Sequence, residues 1–345
     1  MSHDSTGCSP SSKVWYKNKI GIVLCVIAVS AGLSYIFPIL IPLRQTLGIY
    51  LKSVWWAVLL GLTLGGMMEY YVPRELISHV LAGPKKRTIF YAVGLGFFAS
   101  VCSHGILAIS MELYKKGAAT ASVVAFLLAS PWANISWSIL IFSLFGLLRG
   151  LYIIIVALIV AVTTGLIYQI LEKKGWVEKN ARTIFGAEGY CAWQDFGNKF
   201  KGYKFSREQL GKDMKGIASG AAALGDMVLW WILIGILLAS LSGAYIPQEI
   251  FKNYMGPTIT GLLVTLALAT VLEVCSEGMA PLSFEIFRQT GALGNSLVFL
   301  MAGVATDYTE IGLLWQNIGK KTAIWLPVIA VPQIVFWGMI ANLIF

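Results

Sequence analysis

Long apolar stretches separated by short charged segments constrain the fold of this chain more than any other feature. Of its 345 residues, 57% are hydrophobic and only 12% are charged, about half the charged fraction of a typical soluble domain. A membrane-spanning helix needs about 20 apolar residues. The stretches of roughly this length are 20–43, 54–72, 123–148, 151–171, 227–246 and 323–345. We therefore predict an all-α polytopic membrane protein embedded in a lipid bilayer.

The two halves of the sequence resemble each other at an offset of 173 to 174 residues. V-C-S-H-G at 101–105 matches V-C-S-E-G at 274–278, and F-L-L-A-S-P-W-A-N at 126–134 matches F-L-M-A-G-V-A-T-D at 299–307. A P-x-E corner followed by Gly-Pro also recurs. Matching Pro, Glu, Cys and Gly residues in the same order are much less expected by chance than matching apolar residues. The pattern predicts two copies of one transmembrane unit.

The predicted organisation places one extra helix before the two repeats. In chain order, we expect a polar cytoplasmic tail (1–19), the extra transmembrane helix (20–43), repeat 1 (54–171), a basic cytoplasmic linker (172–215) and repeat 2 (225–345). The apolar run after the tail is longer than the core of a signal peptide and lacks a small-residue cleavage site, so we interpret it as retained.

The distribution of basic residues predicts that the two C-S-x-G segments turn back within the membrane. If every apolar segment crosses, at most 15 of the 26 Lys and Arg residues are cytoplasmic; with two re-entrant hairpins and a cytoplasmic N-terminus, 21 are. Cytoplasmic loops are enriched in Lys and Arg. The hairpin topology makes the two units inverted repeats with broken helices, an arrangement typical of transporters.

The two C-S-x-G segments carry the candidate binding residues. Non-helical backbone at membrane depth requires a buried or water-lined position, and we expect the motif glycine to supply the conformational freedom for the break. Thiols, an imidazole and a carboxylate are a soft-donor set suited to a thiophilic solute or a soft metal. The predicted substrate-binding residues are Cys102, Ser103, His104, Cys275, Ser276 and Glu277. No dedicated metal site and no catalytic residue is predicted.

Structural roles remain open for these residues. A buried cysteine can simply pack, and His104 and Glu277 can form a structural pair, although an acid at membrane depth is functional by default. Asn134 and Asp307 occupy one repeat position, where lining the site and forming a loop are equal alternatives. We expect Glu112 and Glu285, each ten residues after its cysteine, to lie near the membrane surface on a solvated face or at a helix end.

At these residues the chain resembles the predicted permease family that includes the organoarsenical efflux permeases. The resemblance covers about residue 55 to the C-terminus and rests on the C-S-x-G segments, the basic-Gly turn at 114–117, F-L-L-A-S-P, and E-V-C-S-E-G with F-L-M-A-G-V-A-T-D. It implies a multi-span permease that exports a thiophilic solute such as a trivalent organoarsenical, with Cys102 and Cys275 as the positions to test. His104 and Glu277 depart from the familiar pattern of the family.

The leading hypothesis is a secondary permease of the inner (plasma) membrane with a cytoplasmic N-terminus. No nucleotide-binding loop, H-E-x-x-H motif or serine-hydrolase elbow is present in the sequence, so we expect neither an enzyme nor a cofactor. The net charge of +9 fits cytoplasmic lysines rather than nucleic acid. The expected partners are a small-molecule or ion substrate and lipid, and a homo-oligomer is allowed. A metal-handling or complex subunit that does not translocate alone is the alternative, and a membrane oxidoreductase is a third.

Overall fold

All regular elements of the described residues are helices. A computed structural model describes residues 19–71, 81, 86–99, 103–115, 117–180, 207–272 and 276–345. The helices are α1 (Lys19–Leu33), α2 (Ile41–Tyr71), α3 (Lys86–Phe98), α4 (Ser103–Lys115), α5 (Thr120–Ala133), α6 (Ile135–Phe145), α7 (Leu147–Lys173), α8 (Arg207–Tyr245), α9 (Gln248–Tyr254), α10 (Ile259–Val271), α11 (Ser276–Thr290), α12 (Leu293–Thr306), α13 (Tyr308–Asn317) and α14 (Lys320–Ile344). The chain is an all-α polytopic membrane protein.

Five helices of the second half each begin 173 residues after a helix of the first half. The helices α10 to α14 begin at residues 259, 276, 293, 308 and 320, and α3 to α7 begin at 86, 103, 120, 135 and 147. Two turn glycines in each half share a positive φ: Gly117 matches Gly291, and Gly146 matches Gly319. Only glycine adopts this backbone region without a steric cost. The sequence match therefore extends to helix boundaries and turns.

Helices α2 and α8 pack side by side and run in opposite directions. The Tyr245 hydroxyl donates to the Ile39 carbonyl just before α2, and the Thr46 hydroxyl donates to the Ser240 carbonyl. Further along, the Tyr70 hydroxyl bonds Asp213 at 3.0 Å. The residue numbers of the contacting residues thus rise along α2 as they fall along α8. The same holds for α7 and α14, where Tyr152 bonds the Trp337 carbonyl and Tyr168 the Thr322 carbonyl.

Five helical segments of the described chain are long and apolar enough to cross a membrane. They are Pro38–Leu64, Thr120–Phe145, Leu147–Lys173, Leu293–Asn317 and Lys320–Ile344. The count is six when Ile232–Tyr245 of α8 and α9 are taken together as one broken span; the two are bent by 103° at the break before Gln248. The P-x-E corner predicted for repeat 2 lies at this bend, whereas its counterpart at 73–75 lies outside the described residues.

The extra helix predicted at 20–43 is divided in two. Helix α1 ends at Leu33, a turn follows, and a short 3-10 helix at Pro38–Leu40 leads into α2. The residue before a proline is disfavoured in helical conformation, and Phe37, which precedes Pro38, is extended. Helix α2 therefore begins at Ile41 rather than near residue 54. The 15 residues of α1 rise about 22 Å, less than the roughly 30 Å of a bilayer core.

The boundaries of the predicted linker also differ, because α8 begins at Arg207 rather than after residue 215. Residues 174–180, which follow α7, lie against the starts of two other helices. The Thr120 hydroxyl donates to the Glu178 carbonyl, and the Lys321 and Thr322 amides donate to the Glu178 carboxylate. We call this side of the molecule the linker face. The opposite face carries Phe145, whose ring contacts Phe284 and Phe287.

Helices α5 and α12 form the centre of the molecule. Every residue of α5 is buried, and so is every residue of α12 except Thr306. A helix that is apolar on all sides is suited to a position enclosed by other helices. Helices α3, α4 and α7 pack around α5, while α10, α11 and α14 pack around α12, and α5 contacts α12. The candidate residues must therefore be located relative to these two central helices.

Candidate functional site

The second C-S-x-G segment joins two helices that run in opposite directions. Along α10, Thr265 bonds Asn295 of α12, and the Ala269 carbonyl lies near Gly303. Along α11 the order is reversed, because Met279 contacts Gly303. Ser283, further along α11, exchanges hydrogen bonds with Ser296. The chain therefore turns back between α10 and α11. Because Gly303 is the eleventh residue of the span Leu293–Asn317, the tip of this hairpin lies near the middle of that span.

Helices α3 and α4, on either side of the first C-S-x-G segment, pack in the same way on α5. Gly96 of α3 packs on Ala129 of α5, and the Ala99 carbonyl accepts a hydrogen bond of 2.8 Å from the Ser130 hydroxyl. Helix α4 ends at Lys115, four residues before α5, and packs back on it. Ser130 is the eleventh residue of its span, Thr120–Phe145. With 13 residues each, α3 and α4 rise about 20 Å, which is too short to cross a bilayer.

The predicted motif residues that the structure describes begin the second helix of each hairpin. Cys102 and Cys275 lie outside the described residues. Ser103 and His104 open α4, and Ser276 and Glu277 open α11. The first amides of a helix have no partner within the helix and attract negative charge. Two such helix starts at mid-depth could meet an anionic or polar group of a solute.

The expectation for the motif glycine was wrong. Gly278 is the third residue of α11 and has no positive φ, so the break precedes it. Instead, Gly278 allows close packing: a Cβ built on Gly235 of α8 would lie 1.9 Å from the Gly278 carbonyl oxygen. The two backbones touch at this point, and a side chain at either position would separate the helices.

Asn134 and Asp307 cap helices at breaks within two spans. The Asn134 side chain accepts from the Trp137 amide at 2.8 Å and donates to the Ser130 carbonyl at 2.9 Å. The Asp307 carboxylate accepts from the Glu310 amide at 3.2 Å. Side chains of this kind satisfy amides that a helix start leaves without a partner. Each break follows the residue that contacts a hairpin tip, Ser130 or Gly303, by four positions.

The two halves meet around these breaks. Helix α4 packs against α13, the helix that Asp307 caps, and α11 packs against α6, the helix that Asn134 caps. Each hairpin thus contacts the broken span of the other half as well as its own. In the part of the chain that the structure describes, no group of three or more His, Cys, Asp or Glu side chains is arranged to hold a metal ion.

A buried acid beside Asp307 was missed in the sequence. Glu310 lies in the first turn of α13 and is 1% exposed. The available signal was its spacing from Asp307, since an acid three residues after a cap is typical of a helix start. Repeat 1 has Trp137 at the matching position, so this acid belongs to only one half. Asp307 and Glu310 give the mid-depth region two carboxyl groups that the C-S-x-G motifs do not contain.

A second polar cluster, which we call the Tyr50 cluster, consists of Tyr50, Glu285, Arg288 and Gln289. The Glu285 carboxylate accepts from the Tyr50 hydroxyl, from Nε and Nη2 of Arg288 at 2.9 and 2.8 Å, and from Gln289 at 2.6 Å. The expectation that Glu285 is solvated was wrong, because the side chain is 0% exposed. Its burial is tolerated because three side chains donate to it.

A family model described as "Predicted permease" matches residues 43–343. One relative, from Streptococcus mutans, is named "Putative two-component membrane permease complex subunit"; it is 24% identical over 78% of this chain and 86% of its own length. The UPF0718 protein YcgR of Bacillus subtilis is 25% identical over 81% of this chain and 90% of its own length. No solved structure matches.

Proposed function

Because this chain belongs to the predicted permease family, we propose that it is a secondary permease for a small solute held between the two hairpin tips. Efflux of a thiophilic solute, such as a trivalent organoarsenical, is the leading form of this proposal. Cys102 and Cys275 would be the soft donors. Ser103 and Ser276 would add hydroxyl groups, and the starts of α4 and α11 would add backbone amides.

The observation that best supports this function is that each half directs a helical hairpin at the middle of a broken span. Ala99 and Ser130 mark this level in one half, and Ala269 and Gly303 mark it in the other. Broken elements at membrane depth need a protein-lined or wet environment. In secondary transporters, broken helices near the midplane hold substrates and coupling ions.

We further propose that the halves are inverted-topology repeats. Equivalent helices that touch, α2 with α8 and α7 with α14, run antiparallel, as a two-fold axis in the membrane plane requires. The linker face carries the basic residues that border 174–180 or begin the adjoining helices, and these include Lys86, Arg87, Lys115, Lys173, Lys174, Lys179, Lys320 and Lys321. This concentration supports a cytoplasmic linker face.

Proton traffic would involve His104 and Glu277, since an imidazole and a carboxylate at membrane depth are costly unless they function. Asp307 and Glu310 are further acids at the same level. Proton coupling fits the chemistry of these groups, and a sodium or other ion remains an alternative for the transport assay.

The test is solute uptake or efflux by the purified chain in proteoliposomes, with trivalent methylarsenite as the first substrate. We expect Cys102→Ser and Cys275→Ser each to reduce transport at least tenfold, because serine conserves size but lacks the thiolate. Cys25→Ser is the matched control, since Cys25 is exposed on α1 and should leave transport unchanged. Full transport by both site variants would contradict a thiophilic substrate. Absence of transport for every solute tested would contradict the permease function.

The second candidate function is that of a subunit which does not translocate alone. The name of the Streptococcus relative favours it, because that protein is described as a subunit of a two-component permease complex. Co-purification of a stable membrane partner, together with transport only when that partner is present in the proteoliposomes, would support this candidate over the first.

A further inference from the structure

We infer that the Tyr50 cluster is a gate on the face opposite the linker, and that the structure represents the state closed on that face. The inference rests on the proposed transport function, because a gate has meaning only for a protein that admits a solute. The inference is supported by the contacts of α2 and α8 near the opposite face, by their fewer described contacts near the linker face, and by the side chains of the Tyr50 cluster.

The antiparallel pair α2–α8 contacts the body of the protein from mid-depth toward the opposite face. At mid-depth, Gly235 of α8 packs on Gly278 of α11, and the Ser136 hydroxyl of α6 donates to the Gly61 carbonyl of α2 at 2.7 Å. Nearer the opposite face, a Cβ on Gly243 would be 2.5 Å from the Glu285 carboxylate. Glycine at 61, 235 and 243 allows this close approach.

Toward the linker face, the described residues show less contact between the pair and the body. Among the described helices, α2 packs extensively on α6 and α8 packs extensively on α11. Within the residues that the structure describes, no contact of similar extent joins either of them to α4 or α13, the helices at the equivalent positions on the linker side. The internal repeat predicts an equivalent close contact between α2 and α4, because Gly61 and Gly105 match Gly235 and Gly278. The described residues therefore form one of the two contact sets that the internal repeat makes equivalent.

The Tyr50 cluster connects α2 to α11 across the closed side. Among the described residues that donate to Glu285, Tyr50 is the one that belongs to α2, and its side chain is 2% exposed. Its ring also lies edge-on to Phe284, with centroids 6.2 Å apart. Arg149 of α7 stacks over the neighbouring Phe287 ring at 5.0 Å. The closure thus combines a buried hydrogen bond with aromatic packing.

The sequence of the other half indicates that this device belongs to one face. Glu112 and Lys115 match Glu285 and Arg288, but Leu224 stands where Tyr50 is expected. A leucine cannot donate a hydrogen bond to a carboxylate. The tyrosine-to-glutamate connection therefore forms at the opposite face, and Leu224 cannot form the equivalent bond to Glu112. Opening at this face requires the Tyr50–Glu285 bond to break while Arg288 continues to neutralise the acid.

The test measures thiol labelling of Ala239→Cys in a background whose native cysteines are replaced by serine. Ala239 is 0% exposed and lies between Gly235 and Gly243, one helical turn from each, on the side of α8 that meets α11. With Tyr50 intact, an impermeant maleimide should react slowly. Tyr50→Phe and Glu285→Gln should each raise the labelling rate at least fivefold, because the closed state loses its connecting bond.

Tyr152→Phe is the matched control, since it removes a different partly buried tyrosine hydroxyl, one that bonds the Trp337 carbonyl. It should leave labelling of Ala239→Cys slow. Tyr245→Cys, exposed at the same end of α8, should label rapidly in every background and reports that the reagent reaches this face. Unchanged labelling of Ala239→Cys in both cluster variants, with normal labelling at 245, would overturn the gate. Labelling needs no solute. A transport screen in which no solute moves would therefore contradict the proposed function without changing the labelling of Ala239→Cys.

Discussion

Gly235 lies directly against Gly278, so that the backbones of α8 and α11 touch at mid-depth. A Cβ on Gly235 would come within 1.9 Å of the Gly278 carbonyl oxygen, a distance that real atoms do not adopt. One motif glycine thus has a packing role that couples a long helix to a hairpin, and the other glycines of α8 provide a comparison.

Gly235→Ala should destabilise the protein by about 1–3 kcal/mol, because the added methyl group must push two backbones apart. Thermal unfolding in detergent measures the effect. Gly211→Ala is the matched control in the same helix, since nothing lies within 4 Å of a Cβ at that position, and alanine is favoured over glycine in a helix by roughly 0.5–1 kcal/mol. Equal melting temperatures for the two variants would contradict the close contact.

Glu178 caps α14 from outside that helix, which predicts a pH-dependent contribution to stability. Burial acts to raise the pKa of the Glu178 carboxyl, but hydrogen bonds from the Thr322 amide, the Thr322 hydroxyl and the Lys321 amide outweigh it, so its pKa lies below the ordinary 4.5. A depressed pKa in the folded state stabilises the fold at pH above 4.5, and this stabilisation is lost as the pH falls through the folded pKa.

Glu178→Gln should therefore lower the melting temperature at pH 7, corresponding to about 1 kcal/mol, because a neutral amide oxygen replaces a charged carboxylate as the acceptor. The difference from the unmodified chain should shrink as the pH is lowered below 4.5. Glu249→Gln, which replaces an exposed glutamate of α9, is the control and should have little effect at either pH. A difference that stays constant between pH 7 and pH 4 would be inconsistent with a charged cap.

Substitutions at Asp307 separate a capping role from a charge role. Asp307→Ala should cost about 1 kcal/mol of stability, because the Glu310 amide loses its acceptor. Asp307→Asn retains a capping oxygen and should keep the melting temperature. If the charge serves transport, Asp307→Asn should reduce solute flux severalfold at unchanged stability. Asn134→Asp, the reverse change at the equivalent cap, is the comparison. Normal flux in Asp307→Asn would limit this residue to capping.

The proposed orientation predicts which face is accessible from outside the cell. In a cysteine-free background, Gly202→Cys in the linker should resist an impermeant thiol reagent in intact cells and react after the membrane is permeabilised. Lys252→Cys, exposed on α9 at the opposite face, should react in intact cells. The reverse result at both positions would invert the protein in the membrane and place the Tyr50 cluster at the cytoplasmic side.

The sequence alone determined the membrane class, the two-fold repeat and the existence of breaks at both C-S-x-G segments. These features depend on composition and on local chain properties: apolar length, prolines and glycines at turns, and matched residues at a constant offset. The break after Leu33 was missed because one apolar run can contain two helices, and the Pro38 signal was outweighed by the uninterrupted hydrophobicity of 20–43.

Tertiary structure decided which charged residues are buried and which glycines are packing contacts. Glu285 follows its motif at a distance that suggests the membrane surface, yet Tyr50, 235 residues earlier, and Arg288 make its burial tolerable. In the sequence, the position of Gly278 suggests a hinge, but the structure shows that glycine is needed there because Gly235 of another helix packs directly on it. Both outcomes depend on partners far away in the chain, and the free energy of burying a charge or closing a helix contact is set by those partners rather than by neighbours in sequence.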